Sequence, residues 1–225
     1  MSEARDQILA TIRRARGGNG DAAFHAVAEQ RLQLKARGTI PKRVDRGPAA
    51  LVDLFVEQAL TLSATVDRVA SPDAVPAAVA EYLARENLPA TLRAAPSPEI
   101  EAIPWHGRPA LTVTYGRSDG HDEVGLTPAF AAIAETGTLM LRSGPGHPTT
   151  LNFLPDTHIV VLRASRVVGP YEEGWTMLRG AGAMPRAVNF VSGPSRTADI
   201  EQTIQLGAHG PRRLHIVLIE DGDAR

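Results

Sequence analysis

Apolar positions along this chain follow two kinds of pattern, recurring at helical spacing in some stretches and running almost continuously in others. Residues 3–16 carry Ile8, Leu9 and Ile12 at helical spacing, with Arg13, Arg14 and Arg16 late in the segment, where cations suit a helix dipole. Gly17-Gly18-Asn19-Gly20 then stops the pattern, which predicts a small amphipathic arm. The Gly- and Arg-rich stretch 38–47 reads as a linker. Beyond it Leu51, Leu54, Phe55, Gln58, Ala59 and Leu62 mark one stripe of a helix.

From there the pattern alternates. A strand over residues 66–70 precedes Ser71-Pro72-Asp73, which reads as a helix start: a serine for the N-cap, a proline at the first helical position and an acid in the first turn. Val75, Val79, Tyr82 and Leu83 then face a core until Pro89 ends the helix. Residues 110–114, 138–141, 158–162, 187–191 and 214–220 read as strands, several of them unbroken Val/Ile/Leu runs of the kind found in parallel sheets covered on both faces. Residues 171–180 and 199–206 have helical composition. The expected class is α/β, a largely parallel sheet covered by helices, with an N-terminal helical arm and linker over residues 1–47 and the domain over 48–225.

Length and composition narrow the possibilities. At 225 residues, 43% of them hydrophobic, the chain suits one sizeable core. Its 24 Lys and Arg balance 25 Asp and Glu, so it offers no long-range field to a phosphate backbone or an anionic membrane surface. Apolar runs such as 159–162 and 216–219 fall far short of the roughly 20 residues of a membrane span. Met1-Ser2-Glu3-Ala4-Arg5-Asp6 mixes both charge signs and does not read as a signal peptide, so a cytoplasmic location is expected. The chain has no cysteine, which removes disulfides, thiolate catalysis and any cysteine-ligated zinc or iron–sulfur site from this polypeptide alone.

Candidate chemistry gathers in three turns at the ends of predicted strands, where open α/β sheets collect ligands. In Ala134-Glu135-Thr136-Gly137-Thr138 a carboxylate and two hydroxyls surround a glycine that can bring backbone N–H groups close to a small ligand. Glu135 can act as a base or orient a substrate hydroxyl; equally, it can cap a turn while Thr136 and Thr138 start the strand. Leu154-Pro155-Asp156-Thr157-His158 delivers a histidine to the start of a buried strand, where it either titrates near neutrality or sits satisfied in the structure. Ser192-Gly193-Pro194-Ser195-Arg196-Thr197-Ala198-Asp199 reads as a small-residue turn opening a helix. Its hydroxyls, free helix-terminal N–H groups and Arg196 make an anion site, whereas Ser195 or Thr197 as an ordinary N-cap with Asp199 on the dipole leaves Arg196 unexplained. Gly207 has the character of that helix's C-terminal cap, and His209 after it is a loop ligand or a solvated turn residue. The seven histidines, at 25, 106, 121, 147, 158, 209 and 215, show no metal-ligand spacing, and no Gly-rich dinucleotide fingerprint or Walker-type loop is present.

Together, Ile133-Ala134-Glu135-Thr136-Gly137-Thr138, Leu154-Pro155 with His158-Ile159-Val160-Val161, the run from Ser192 to Glu201 and His209-Gly210-Pro211 resemble the lactate-utilization protein C group of the LUD-domain family, over roughly residues 50–220. The resemblance implies a fold related to the sugar-phosphate isomerase, CoA-transferase and formyltetrahydrofolate cyclo-ligase group. It also implies a role in a three-protein system that oxidises L-lactate to pyruvate, with iron–sulfur proteins as partners and their clusters held there. The absence of cysteine agrees with that division of labour. On this reading residues 192–197 bind a small carboxylate such as L-lactate through Arg196, and Glu135 with Thr136 lines the same pocket. A free-standing enzyme acting on a sugar phosphate, acyl-CoA or folate, and a metabolite-binding regulatory module, are the competing expectations.

Overall fold

The computed structural model describes residues 2–15, 22–34, 38–197, 205–207 and 209–221. Two compact units divide the chain, Met1–Thr39 and Ile40–Arg225. The first contains helices α1 (Ser2–Ala15) and α2 (Ala22–Leu34). Glu3 stands in the first turn of α1 and Arg13 and Arg14 in its last, each sign at the end of the dipole that favours it.

The second unit runs through α3 (Pro48–Thr61), β1 (Thr65–Val69), α4 (Val75–Arg85), β2 (Thr91–Ala94), α5 (Pro98–Glu101), β3 (Thr112–Tyr115), β4 (Val124–Pro128), β5 (Ala131–Ile133) and β6 (Thr138–Arg142). It continues with α6 (Thr150–Phe153), β7 (Thr157–Arg163), β8 (Val167–Val168), α7 (Tyr171–Gly180), β9 (Val188–Val191), β10 (Arg196–Thr197), β11 (Gln205–Leu206) and β12 (Arg213–Ile219). Six strands form one sheet in the order β1-β12-β7-β4-β2-β3, and every neighbouring pair is parallel.

The continuous apolar runs now have a physical reason, because the central strands are buried on both faces. Along β7, Ile159 and Val161 join one core while Val160 and Leu162 join another. Along β12, Val217 and Ile219 belong to the first and Leu214, Ile216 and Leu218 to the second. Val75, Val79, Tyr82 and Leu83 of α4 close the first core; Val52, Leu54, Phe55 and Ala59 of α3 close the second. The α/β class with a parallel sheet between helices is as the pattern predicts.

Several elements differ from expectation. The predicted strands at 138–141 and 187–191 are β6 and β9, which pair antiparallel in a separate sheet of order β8-β5-β6-β9. The short turn carrying Gly137 folds β6 back onto β5, so consecutive strands pair as a hairpin instead of crossing over. β2, β4 and β5 escape the pattern. In β4, Gly125 is uncommon for a strand interior, yet it is required there: a Cβ would stand 2.8 Å from the Pro155 ring and 2.9 Å from Leu151 O. The helix start expected at Ser195 or Thr197 is corrected as well, and so is the helical reading at Gln205–Leu206, since Arg196–Thr197 and Gln205–Leu206 are paired antiparallel strands. Gly207, with φ +84°, therefore follows a strand and does not cap a helix. Residues 198–204, Asp199 among them, lie outside the described residues. Ser71 makes no side-chain cap; a 3-10 turn, Pro72–Ala74, leads into α4. Among the described residues no helix is long and apolar enough to cross a membrane.

Candidate functional site

Two of the motif glycines are explained by a close approach to one helix. Gly137 has φ +64°, and a Cβ there would lie 2.6 Å from Ala59 N and 2.7 Å from Gln58 C. Gly193 has φ +78°, and its Cβ would collide with Leu62 O. Both turns are thus seated on the carboxyl end of α3, where only a residue without a side chain fits. Arg196 follows them there: its Nη2 donates to Leu62 O at 2.7 Å and to Ser63 Oγ at 2.7 Å. A cation at the end of a helix satisfies carbonyls left without an intrahelical donor, and Nη2 of the guanidinium expected to hold a substrate carboxylate makes that contact here.

The same seating brings hydroxyls together from distant parts of the chain. Thr138 Oγ1 lies 2.7 Å from Thr136 Oγ1, 3.0 Å from the Tyr171 hydroxyl and 2.7 Å from Ser192 Oγ. Thr136 Oγ1 also lies 3.0 Å from the Tyr171 hydroxyl. Each hydroxyl both donates and accepts, so four of them close a network without needing a charge. Glu135 is turned elsewhere: its carboxylate meets Arg43 Nη2 at 3.5 Å, and its backbone N–H donates to Gly169 O at 3.1 Å.

Ser192 also borders a cavity of about 230 Å³, in which His158, Asn152, Ser195 and His209 supply the other polar groups and Phe153, Phe190 and Leu214 the apolar wall. No carboxylate occurs among its described lining residues. The cavity stands beside the amino ends of the parallel strands, since His158 and Leu214 are the second residues of β7 and β12. His158 is fully buried; Nε2 lies 2.7 Å from Thr127 Oγ1, and Nδ1 has no hydrogen-bond partner. Burial without a compensating charge pushes its pKa down to about 3, so of the two readings of this histidine titration near neutrality does not hold. The Ser195 backbone is fully paired: its N–H donates to Pro211 O at 2.8 Å and its carbonyl accepts from Gly207 N at 3.0 Å. That leaves its hydroxyl as the group it can offer a ligand. Asn152 Nδ2 donates to Asn189 Oδ1 at 3.2 Å, which leaves its own carbonyl oxygen for another donor.

The structure thus brings Ser192, Gly193, Ser195, His158 and His209 to one cavity and ties Thr136 and Thr138 to it through Ser192. Glu135 and Arg196 are not among its lining residues. Thr197 lies in β10. Sequence reasoning missed Thr127, Asn152 and Tyr171. Thr127 belongs to an unrecognised strand, and Tyr171 opens a correctly located helix with nothing in its neighbours to mark a role. Among the described residues, no three His, Asp or Glu side chains are grouped to hold a metal ion.

Comparison with known proteins agrees with the motifs. The family model described as the LUD domain matches residues 52–219. The chain is 38% identical over 103 residues to a lactate utilization protein C from Exiguobacterium sp. (strain ATCC BAA-1283 / AT1b), covering 44% of this chain and 45% of the relative. An uncharacterized protein from Neisseria meningitidis serogroup B is 41% identical over 100 residues, or 43% of this chain and 42% of that one. These alignments span less than half the length of the relatives. A lactate utilization protein C from Deinococcus radiodurans aligns over 220 residues at 28% identity, covering 97% of this chain and 96% of the relative. In fold, the chain is similar to the crystal structure of a DUF162 family protein from Deinococcus radiodurans, with a TM-score of 0.55 at 24% identity, over 78% of this chain and 99% of that one.

Proposed function

The chain belongs to the LUD domain family, and from that premise we propose that it serves lactate utilization in the cytoplasm, as a cofactor-free subunit beside iron–sulfur proteins that oxidise L-lactate to pyruvate. The relatives named lactate utilization protein C support the pathway. The observation that carries the reading at this chain's own residues is the convergence of three separate segments, around His158, Ser192–Ser195 and His209, on one small cavity.

The chemistry of that cavity suits a 2-hydroxy acid. A carboxylate there meets no opposing carboxylate among the described lining residues, and the Ser195 hydroxyl can donate to it. His158 borders the cavity with its Nδ1 buried and unpaired, and in this reading that nitrogen hydrogen-bonds the ligand's hydroxyl. With a pKa of about 3 it is a weak base, which suits recognition and orientation rather than proton abstraction. Conversion of lactate to pyruvate releases two electrons and two protons. In this reading the electrons pass to clusters on the partner subunits, because this chain has no cysteine to ligate one.

Calorimetric titration with L-lactate tests the site. Saturable binding that weakens about tenfold in Ser195→Ala, the loss expected for one hydrogen bond to a charged ligand group, is the predicted result. Absence of saturable binding, or turnover of a sugar phosphate, acyl-CoA or folate by the chain alone, would overturn the reading.

A further inference from the structure

We infer that the carboxyl ends of the parallel strands carry a second site, a basic cavity that takes the oxyanion group of a small metabolite and is separate from the His158 cavity. Topology marks the place. The chain leaves β2 toward β3 on one side of the sheet, while β4, the neighbour of β2, is followed in the sheet by β7 on the other. The two strands part at this point, and open parallel sheets bind ligands in the crevice outside their carboxyl ends where such a parting occurs.

A cavity of about 210 Å³ lies there, bordered by Glu99 just after β2, Pro128 and Ala129 at the end of β4, and Arg142, His147 and Arg166. A smaller recess shares Glu99, Pro128, Ala129 and Arg166 and adds Arg163 from the carboxyl end of β7. Among the described residues neither Arg142 nor Arg166 is within ion-pair distance of a carboxylate, unlike Arg163, whose Nη1 is 3.6 Å from Asp221 Oδ2. Two guanidinium groups against one carboxylate leave the wall with a net positive charge.

The wall is also built rather than incidental. The Arg142 guanidinium is held over the Phe130 ring, 5.0 Å from its centroid. His147 is fixed in a turn by paired backbone hydrogen bonds with Gly144, at 3.3 and 3.0 Å. That turn presses on the segment after β2, where a Cβ on Gly146 would meet Pro96 O at 3.0 Å. Burial, with the Arg142 charge second and against the pull of Glu99, holds His147 below its ordinary pKa, so it enters as a hydrogen-bonding group more than as a third cation. A guanidinium held before a ligand arrives, as that of Arg142 is, loses little freedom in binding an oxyanion.

The test is titration of the purified chain with inorganic phosphate and, separately, with pyruvate. Saturable binding of at least one probe is expected, weakened about tenfold or more in both Arg142→Gln and Arg166→Gln, as loss of a charge-assisted hydrogen bond requires. Arg108→Gln, an exposed cation in the turn before β3 and so at the opposite, amino end of the sheet, should bind as the unaltered chain does. Phosphate alone identifies a phosphorylated metabolite, pyruvate alone a carboxylate, and both the shared oxyanion. No saturation by either probe overturns the inference. So does pyruvate binding that survives Arg142→Gln but is lost in Ser195→Ala, because that signal belongs to the His158 cavity.

Discussion

Thr138 Oγ1 and Ser192 Oγ stand 2.7 Å apart, although 54 residues separate them in the chain. This contact joins the turn after β5 to the turn after β9 and makes one site of two motifs. Thr138 is fully buried, so its hydroxyl has no water to fall back on. Thr138→Val should strip partners from Thr136, Tyr171 and Ser192 and cost about 1–3 kcal/mol of stability. A double-mutant cycle with Ser192→Ala, read by urea unfolding, should give a coupling of at least about 0.5 kcal/mol. Additive effects would mean that the two hydroxyls do not depend on each other.

The seating of both glycine turns on α3 predicts a second pattern in stability. Gly137→Ala and Gly193→Ala combine a positive φ with a Cβ driven into the helix backbone, and each should cost about 2–5 kcal/mol. Gly180, at the end of α7, has open space where its Cβ would be. Gly180→Ala should be neutral or stabilising by up to about 1 kcal/mol. Thermal unfolding of the three variants measures the contrast directly.

Arg196→Ala should separate a helix cap from a ligand contact. Removing the donor to Leu62 O and Ser63 Oγ should lower stability by about 1 kcal/mol while leaving L-lactate affinity unchanged. A large loss of affinity at unchanged stability would return the guanidinium to the site.

Two buried histidines set an acid limit. Burial pushes His158 down to about 3, and burial opposed by Asp67 holds His215 at about 4; the His215 ring is stacked 3.8 Å from that of Tyr82. Both are depressed below the unfolded value of about 6.5, so between these limits the unfolded chain binds more protons than the folded one. Stability from these groups is therefore complete above pH about 6.5 and declines as pH falls toward 4, by up to about 1.4 kcal/mol per pH unit for each histidine. Urea midpoints across that range, compared with His215→Phe, should show a shallower decline in the variant.

Periodicity was sufficient for the helices α3, α4 and α7 and for the strands β7 and β12, because each buries a side-chain pattern characteristic of its own geometry. It was insufficient for β4, a strand in the middle of the sheet that carries Gly125 and Pro128, residues uncommon inside strands. Without β4, the Thr127 partner of His158 was invisible. The motif residues were legible as a group, but their tasks were not. Whether a glycine faces a ligand or a helix, or an arginine a substrate or a carbonyl, is decided by chain segments more than 60 residues away, as Gly137 against Gln58 and Arg196 against Leu62 illustrate.

Lactate-dependent dye reduction by the proposed iron–sulfur partner proteins, measured with and without this chain, decides whether the chain takes part in lactate oxidation. Reduction that requires the chain and falls when Ser195→Ala replaces it, with folding intact, is the predicted result. Equal reduction with and without the chain would contradict a role in lactate oxidation.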